Sequence, residues 1–429
     1  MTFKIKNPYE SVMHLIGNKQ NHYKTNLHTH STVSDASVDY ADMVKEYYKE
    51  GFDVLAMTEH GINGKKWNEK PTEVPLYRYQ YLLKRKKTPL TDEEFKQITE
   101  GTYKCEGMKP REAGRGMHCL TQGIELNMVT ITKCHVNGFF TNAGLNNWGF
   151  ENAFRYAVKL MDKAGGLSFI NHPGDWTRAY KDVANAHRYE NIRLFGQIFL
   201  DYASCVGTEV FNRVGNDTRN DRILWDEFIK YVVPHGKRNV FGFANSDAHV
   251  LTDVDTSFED FILPEFSEPN MRTAMENGTF FAISRYAKNE LGEDFKAEGP
   301  YPVVTDLQVD EENGVISLTA ENAGRICWIA DGKEIEEVKA DENGTLTCAL
   351  DLEKHRDEIS CYVRCQVTGK GGVTLTQPFI CDDGDMARFI VPDNRTKKQK
   401  TIDGIKYNLK SIRIVVAVRR FILKQKNFW

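Results

Sequence analysis

The stretch DVLAMTEHG, residues 53–61, shows the arrangement that decides the fold. Its apolar run, residues 54–57, has the length and composition of a buried β-strand. The run leads into Glu59 and His60, side chains that can bind metals or protons, and Gly61 then permits a turn. The sequence therefore predicts a strand that carries reactive side chains at its carboxyl end.

The same arrangement recurs along the first part of the chain, where histidine and carboxylate side chains end a predicted strand or lie in the turn after it. The nine candidate metal ligands are His28, His30, Asp35, His60, Glu125, His135, His172, Asp247 and His249. Imidazole and carboxylate together suit zinc, iron or manganese. Because nine ligands are too many for one ion, the set predicts two or three divalent metal ions. Such clusters usually activate water against phosphate esters.

Strands and helices alternate between residues 24 and 285, a pattern typical of parallel strands joined by helical crossovers. The predicted strands are 26–30, 53–58, 122–128, 135–140, 167–171, 207–211 and 240–244. Helices are predicted near 39–51, 150–164 and 221–232. Candidate ligands at the carboxyl ends of successive strands favour a barrel whose active face is built there.

Three segments depart from this alternation. Residues 62–117 are charged and aromatic, and an insertion beside strand ends usually shapes a pocket or a lid. Short strands, among them 315–320 and 326–329, separated by glycine-containing turns such as Asn343-Gly344, predict a small all-β, immunoglobulin-like sandwich domain at 301–384. Residues 385–429 form a basic tail with twelve Lys or Arg against three Asp, a net charge of +9. The tail is expected either to dock on the rest of the chain or to contact an anionic surface, a membrane or a polynucleotide.

Composition limits the classes of protein to consider. Hydrophobic residues make up 41% and charged residues 27% of the 429 residues, which is typical of a soluble globular protein with two or three domains. The net charge of −4 argues against nucleic-acid binding over the whole surface. The sequence lacks a run of eighteen apolar residues and a recognisable signal peptide, and its nine cysteines lack a scaffold spacing. We therefore expect a cytoplasmic protein without a transmembrane segment.

Several motifs together are more specific than a lone His-x-His pair. HTHS (28–31), SD (34–35) and TEHG (58–61) resemble the first motifs of the polymerase and histidinol phosphatase (PHP) family of metal-dependent phosphoesterases. The segments that resemble the later motifs, in the family's order, are GIELN (123–127), His135, NHPG (171–174) and NSDAH (245–249). The resemblance covers residues 24–285, about three fifths of the chain.

The resemblance implies a distorted (β/α)7 TIM-like barrel, here residues 1–300, with a trinuclear metal site. The implied ligand sets are His28, His30, Glu125 and Asp247 for the first ion, Glu125, His135 and His172 for the second, with Glu125 as the bridge, and Asp35, His60 and His249 for the third. Glu59 is a departure, because the family more often has Asp beside this histidine, and we expect it to lie behind the ligands. The insertion at 62–117 leaves the shape of the pocket open.

The charge of a phosphate ester determines the expected mechanism. Cleavage builds negative charge on the phosphoryl and leaving oxygens, and neighbouring ions both offset this charge and lower the pKa of water. We expect a metal-bridging hydroxide to attack phosphorus in line, with Glu125 holding the ions together. His249 or His172 is alternatively the group that protonates the leaving oxygen, and the sequence does not divide these roles.

Four further residues are candidates for roles at the site. Arg213 and Arg285 follow predicted strands and are candidate phosphate-binding residues, with a surface charge as the alternative for each. Trp176 is a candidate to flank a base or sugar of the substrate, or simply to cover the barrel. His118 competes with His135 for its ligand position, because His135 lies among apolar residues and is alternatively a packed core residue.

The leading functional prediction is a hydrolase of a small phosphate ester, such as a nucleotide-like or sugar phosphate. The alternative within enzymes is an exonuclease on nucleic-acid ends, which the acidic net charge disfavours and the basic tail favours. Loss of ligands would favour a non-catalytic, metal-loaded binding protein, but all nine positions are filled. An amidohydrolase also begins with His-x-His but usually carries a metal-bridging lysine. No strand-end lysine stands out for that role, although Lys133 is close.

Overall fold

The computed structural model describes residues 3–72, 86–127, 133–143, 151–213, 218–390, 392–393 and 395–411. Predictions for residues 73–85 of the insertion and 412–429 of the basic tail lie outside these ranges.

The first two helices begin where the sequence offers capping side chains. Asp39 accepts a hydrogen bond from the Tyr40 N–H at the start of α1, and Thr91 and Glu94 form a reciprocal capping box at the start of α2. The helices in the described residues are α1 Tyr40–Lys49, α2 Asp92–Thr99, α3 Ala153–Lys163, α4 Pro173–Thr177, α5 Tyr189–Asp201, α6 Asp221–Gly236, α7 Glu268–Asn277, α8 Lys288–Leu291 and α9 Lys397–Ser411.

Most strands before residue 300 are short, and several of those after it are long. The described strands are β1 Lys4–Lys6, β2 His22–Asn26, β3 Val54–Leu55, β4 His118–Cys119, β5 Ile124–Leu126, β6 Val136–Phe139, β7 Leu167–Ile170, β8 Cys205–Asn212, β9 Phe241–Asn245, β10 Ser257–Ile262, β11 Phe280–Ser284, β12 Val303–Asp310, β13 Val315–Ala330, β14 Lys333–Asp351, β15 Tyr362–Gly369, β16 Gly372–Leu375 and β17 Phe379–Asp382. The strand predicted at 26–30 ends at Asn26, because the next residues bond across the site instead. The Leu27 N–H donates to the Asn245 side chain, and the His30 N–H donates to the Ala248 carbonyl.

The strands before residue 300 belong to two sheets. One has the order β5-β6-β7-β8-β9, and the other contains the run β4-β3-β2-β10-β11. The expected parallel pairing is correct for β2–β4 and β7–β9. It is wrong for β5–β6–β7 and for β10, which pair antiparallel with their neighbours. The connection from β5 to β6 is too short for a helical crossover, which explains the antiparallel pairing of these two strands. β7 also pairs antiparallel with β6, although α3 lies between them in the chain.

The strands after residue 300 continue the second sheet. β16 pairs with β11, and β1 near the start of the chain pairs with β17. The strands predicted at 315–320 and 326–329 are one strand, β13, whose register shifts near Ala323. Asn343 and Gly344, predicted to form a turn, lie inside β14 opposite that irregularity. Extra residues in a paired strand make a bulge, which resembles a turn in sequence.

An aromatic core lies beneath the ends of the strands and draws on both sheets. Phe169 stacks on Phe243 at 4.3 Å between ring centroids, and Phe261 stacks on Phe280 at 4.6 Å. All four rings are fully buried in one cluster that also includes Leu27. Burial of each side chain contributes about 2–3 kcal/mol, so this core holds the two sheets together and fixes where their strands end.

The mixed α/β class of the prediction is confirmed. The (β/α)7 barrel, the immunoglobulin-like sandwich and the boundaries at residues 300 and 384 stay predictions, and so does the cytoplasmic location. Among the helices that the structure describes, none has both the length and the apolar character needed to cross a bilayer.

Candidate metal centre

The nine candidate ligands converge at the carboxyl ends of the strands. Seven of them lie in the segments that follow β2, β3, β7 and β9. Glu125 is in the middle of β5, and His135 is the residue before β6. Two isolated parallel bridges, Thr29 to Ala248 and His60 to Glu125, draw these ends together. Side chains from six separate segments therefore meet in one place.

The first group of ligand atoms is His28, His30 and Asp247, and all three residues are buried. His28 Nε2 lies 3.2 Å from His30 Nε2 and 3.4 Å from Asp247 Oδ1. Glu125 Oε1 lies 3.3 Å from the same His28 nitrogen. This is the set of four residues that the resemblance implies for the first ion.

The second group is His60, Glu125 and His135. His135 Nδ1 lies 3.0 Å from Glu125 Oε1 and 3.2 Å from His172 Nε2. The structure thus places His60 as well as His172 beside the predicted bridging carboxylate. His118, the rival of His135, is in β4 and stacks on Phe266 at 4.1 Å between ring centroids, outside these groups.

The third group is His30, His60 and His249, with Asp35 beside it. Asp35 Oδ2 lies 3.3 Å from His60 Nε2, and Asp35 Oδ1 lies 3.4 Å from His249 Nε2. The side chains of Asp35, His249 and His135 are 27%, 23% and 23% exposed, whereas His28 and His30 are fully buried. The cluster is therefore open to solvent on the side of these three residues.

Three buried polar atoms of the cluster, His60 Nδ1, Glu125 Oε2 and Asp247 Oδ1, form no aligned hydrogen bond. Imidazole nitrogens nevertheless crowd the two oxygens, since His60 Nδ1 lies 2.6 Å from Glu125 Oε2 and His30 Nε2 lies 3.2 Å from Asp247 Oδ1. Buried polar atoms without an aligned hydrogen bond are costly, and a cation among them would satisfy them. The donor set of imidazole and carboxylate fits divalent metal ions. The clusters are compatible with divalent metal binding.

The hydrogen bonds of the imidazoles leave lone pairs directed at the cluster. His28 Nδ1–H donates to Glu209 Oε1 at 2.8 Å, which leaves Nε2 directed at the other ligands. His249 Nδ1 lies 2.8 Å from the Asp247 carbonyl, which can only accept, so this nitrogen carries the hydrogen. In its neutral form, the His249 ring therefore presents an unprotonated Nε2. A histidine that binds a metal through one ring nitrogen typically donates a hydrogen bond from the other.

Burial and neighbouring charge act in opposite directions on the pKa values of these residues. Burial disfavours the charged form of Glu125, but the imidazoles, His135 first among them, outweigh it and hold the Glu125 pKa well below its usual value. Burial also opposes charge on His28, yet the carboxylates, Asp247 foremost, raise the His28 pKa well above its usual value. Burial, together with the charge of His135, lowers the pKa of His172 to about 4. His172 is therefore neutral at pH 7, the form that binds metal.

Residues behind the ligands orient them. Glu209, which the sequence argument missed, is fully buried and accepts hydrogen bonds from His28 Nδ1–H and, at 2.9 Å, from the His172 N–H. Asn171 donates to Glu125 Oε1 at 2.7 Å. Glu59 accepts from the Ser34 N–H at 3.1 Å, which agrees with its expected place behind the ligands. Glu209 lies inside the buried strand β8, a signal that could have revealed it.

The backbone is strained where three parallel strands end. His172, Arg213 and Asp247 follow or end β7, β8 and β9 and have φ values of 28°, 45° and 43°. Positive φ is unfavourable for residues with a Cβ atom and concentrates at functional sites. The packing of the strand ends thus holds side chains at positions that a relaxed backbone does not give.

Two of the three predicted substrate contacts lie beside the ligands. Arg213 Nη2 donates to Asp247 Oδ2 at 2.8 Å, and the Trp176 ring lies 5.0 Å from the His135 ring. Arg285 instead pairs with Asp255 at 3.4 Å, in an ion-pair group with Lys24. Nothing in these contacts of Arg285 favours substrate binding. The substrate-binding roles of Arg213, Trp176 and Arg285 stay predictions.

Comparison with known proteins found similarity only among solved structures. No protein-family model matches the chain, and no curated protein matches it by sequence. A two-domain protein from Bacteroides vulgatus that contains a predicted PHP-like metal-dependent phosphoesterase is 16% identical, with a TM-score of 0.40 over 83% of this chain and 95% of that one. The lesion-specific endonuclease PfuEndoQ from Pyrococcus furiosus is 13% identical, with a TM-score of 0.34 over 59% and 56% of the two chains.

A putative metal-dependent phosphoesterase from Bifidobacterium adolescentis is 12% identical, with a TM-score of 0.29 over 53% of this chain and 87% of that one. The structures to which this chain is similar thus include PHP-like metal-dependent phosphoesterases, in agreement with the resemblance of its motifs. Identities and TM-scores this low carry no weight for function, which therefore depends on the geometry of the site.

Proposed function

We propose that the chain is a metal-dependent hydrolase of phosphate esters that acts on a small phosphorylated substrate. The observation that carries this proposal is the convergence of nine ligands around buried carboxylate oxygens that contact imidazole nitrogens without an aligned hydrogen bond. Such a cluster is costly in a folded protein without cations, so its presence supports a metal-binding role. The proposal includes a trinuclear site on a distorted (β/α)7 barrel.

Different groups of residues would hold the different ions. His28, His30, Glu125 and Asp247 would hold one ion, and the ligands around His135 and Asp35 would hold the others. Zinc, iron or manganese ions, when bound, would lower the pKa of water and offset the charge of the phosphoryl oxygens. Glu209 and Asn171 keep the ligands in place. Arg213, 40% exposed and anchored on Asp247, would bind a phosphoryl oxygen from the open side.

The opening of the cluster indicates where the substrate enters. Asp35, His249 and His135 are its partly exposed members, Trp176 lies beside His135, and Arg213 lies beside Asp247. His172 is more consistent with a ligand role than with proton donation, because burial lowers its pKa to about 4. The neutral form of His249 presents Nε2 to the cluster, as a ligand would. A donor of the leaving-group proton would then be water on the exposed side.

Elemental analysis combined with a phosphate-release screen tests the proposal. We expect about two or three equivalents of zinc, iron or manganese and phosphate release that a chelator abolishes and added metal restores. His28→Ala should lose bound metal and turnover together, whereas His14→Ala, at an exposed histidine, should change neither. Wild-type protein that releases phosphate equally with and without metal would contradict the proposal.

An exonuclease is the second candidate, and the basic tail is the observation that favours it. Twelve Lys or Arg in residues 385–429 give the chain a segment that could hold a polynucleotide while its end reaches the metal centre. Digestion of labelled single-stranded DNA, measured beside the small-ester screen, separates the two candidates. Processing of DNA from an end at rates that exceed those on every small ester would replace the first proposal by the second.

A further inference from the structure

A small cleft opens to solvent beside the candidate metal centre, with which it shares Arg213. Its walls come from the end of β8, the residues around the start of α6, and residues 284–289 after β11. Arg213 is common to both places, because it lines the cleft and its guanidinium pairs with Asp247. Arg213 therefore links the cleft to the metal centre.

The charge of the cleft is one-sided. Four cationic side chains line it, Arg213, Arg219, Arg222 and Lys288, and none of the described residues that line it is acidic. Arg222 is largely buried, donates to both oxygens of Glu290 and to backbone carbonyls, and so serves as scaffold. Arg219 and Lys288 are 38% and 35% exposed and thus reach the space.

Among the described residues, the two accessible cations have one carboxylate between them. Arg219 and Lys288 share Glu293, which is 54% exposed and lies 3.9 Å from the lysine nitrogen. An exposed ion pair contributes little and is easily exchanged for a ligand. The described residues thus give the cleft a surplus of positive charge at a solvent-open position that an anionic group can reach.

The position of Arg219 is set before a ligand arrives. Arg219 Nε–H donates to Asn289 Oδ1, and Asn289 Nδ2 donates back to the Arg219 carbonyl at 2.7 Å. This reciprocal pair ties the residue that precedes α6 to α8. The Tyr286 ring, 39% exposed, lies on the same wall and offers an apolar face. A preorganised guanidinium next to an aromatic face suits a flat or bidentate anion.

We propose that this cleft binds a second anionic group of the substrate, carried by the part that leaves when the phosphate ester is hydrolysed. The inference rests on the proposed function, because it places the scissile phosphate at the metal centre and the second anion at Arg219 and Lys288. The substrate class is a small phosphate ester whose alcohol bears a carboxylate or a further phosphate. Arg213 lies between the two anions and contacts the first.

Matched pairs of esters test this specificity. 3-Phosphoglycerate against glycerol 3-phosphate tests a carboxylate, and fructose 1,6-bisphosphate against fructose 1-phosphate tests a second phosphate. We expect kcat/KM to be about tenfold to a hundredfold higher for the member with the extra anion in at least one pair, since a charge-assisted hydrogen bond is worth that much. Arg219→Gln and Lys288→Gln should each reduce this preference and leave the plain ester unaffected. Lys296→Gln, an exposed charge outside the cleft, is the matched control.

Binding to metal-stripped protein tests the same cleft without turnover. In a calorimetric titration with inorganic pyrophosphate, Arg219→Gln/Lys288→Gln should weaken the Kd about tenfold or more, and Lys296→Gln should not change it. Circular dichroism melting shows whether the variants are folded, and each single variant provides an independent second measurement. Ester hydrolysis indifferent to the extra anion, with an unchanged Kd in the double variant, would overturn the cleft's role. Anion binding that depends on Arg219 and Lys288, without any phosphate release, would overturn the proposed function and support the anion site.

Discussion

The same strands carry buried charge at both ends, and the two ends satisfy that charge differently. β2 begins at His22 and leads to His28, while β3 follows Asp53 and leads to His60. At the amino ends, His22 Nδ1 lies 2.7 Å from Asp260 Oδ2, and Asp53 Oδ1 accepts from Arg115 Nε at 2.8 Å. At the carboxyl ends, carboxylates and imidazoles gather in contacts that are not aligned as hydrogen bonds.

The difference separates a structural ion cluster from a candidate functional one. Both oxygens of Asp53 accept hydrogen bonds from Arg115, and the Lys24 N–H adds another at 3.0 Å. Glu125 and Asp247 each keep one buried oxygen that contacts an imidazole nitrogen without forming an aligned hydrogen bond. A closed ion pair stabilises only the fold, whereas an open cluster stays costly until a cation binds. Mutation at the two ends should therefore affect different properties.

The largest effect is expected for Glu125→Gln at the open end. The amide removes the charge from the predicted bridging position, so turnover should fall about a thousandfold or more, equivalent to several kcal/mol of lost metal-ion stabilisation. Bound metal, measured by elemental analysis, should fall in parallel. Full metal content together with wild-type turnover would show that Glu125 is not part of the working site.

Asp53→Asn should produce the complementary result at the closed end. The change leaves the buried Arg115 and Arg111 guanidiniums without their carboxylate and should cost about 2–4 kcal/mol of unfolding free energy. Turnover of the folded, metal-loaded fraction should remain within about twofold, because effects of distant sites are independent. Urea unfolding monitored by circular dichroism measures the first quantity. A loss of turnover without a loss of stability would show that Asp53 supports the metal centre rather than only the fold.

The sequence predicts the open end better than the closed one, for a physical reason. A ligand such as Glu125 is conspicuous because a carboxylate inside an apolar strand demands a partner, and the motifs around it have a fixed order. Asp53 and Arg115 are ordinary charged residues, and their pairing depends on the path of the insertion between them. That path is a matter of tertiary packing, which periodicity does not encode.

Glu209 is as conspicuous in the sequence as Glu125. It lies in a buried strand, as Glu125 does, so the cost of an unpaired carboxylate already pointed to a role. The position of Arg285, by contrast, could not be derived, because its contact with Asp255 depends on how β10 and β11 pair. The bulge near Asn343 was missed since a bulge and a turn favour the same residues.

Glu209→Gln should have an intermediate effect at the open end. The amide accepts one hydrogen bond but cannot hold both His28 Nδ1–H and the His172 N–H as a carboxylate does, so metal affinity or kcat/KM should fall about tenfold to a hundredfold. Excess metal should recover part of the activity if the loss is one of affinity. Glu311→Gln, at an exposed glutamate, should change neither quantity. A Glu209→Gln variant with wild-type metal affinity and kcat/KM would contradict the orienting role.

The smallest expected effect is the pH dependence of stability at the closed end. Burial disfavours a charged His22, but the Asp260 carboxylate and the Ile16 carbonyl outweigh it and raise the pKa of His22 to about 9, against the opposing charge of Arg115. The pKa of His22 in the folded state lies above the unfolded value of about 6.5. Protonated His22 therefore makes its full contribution to the free energy of unfolding below pH 6.5, and this contribution is lost as the pH rises through 9. Wild-type protein should lose about 1–3 kcal/mol of unfolding free energy over that window, measured in urea at constant ionic strength. His22→Gln should remove most of this slope, and a variant that keeps the full slope would assign it to another group.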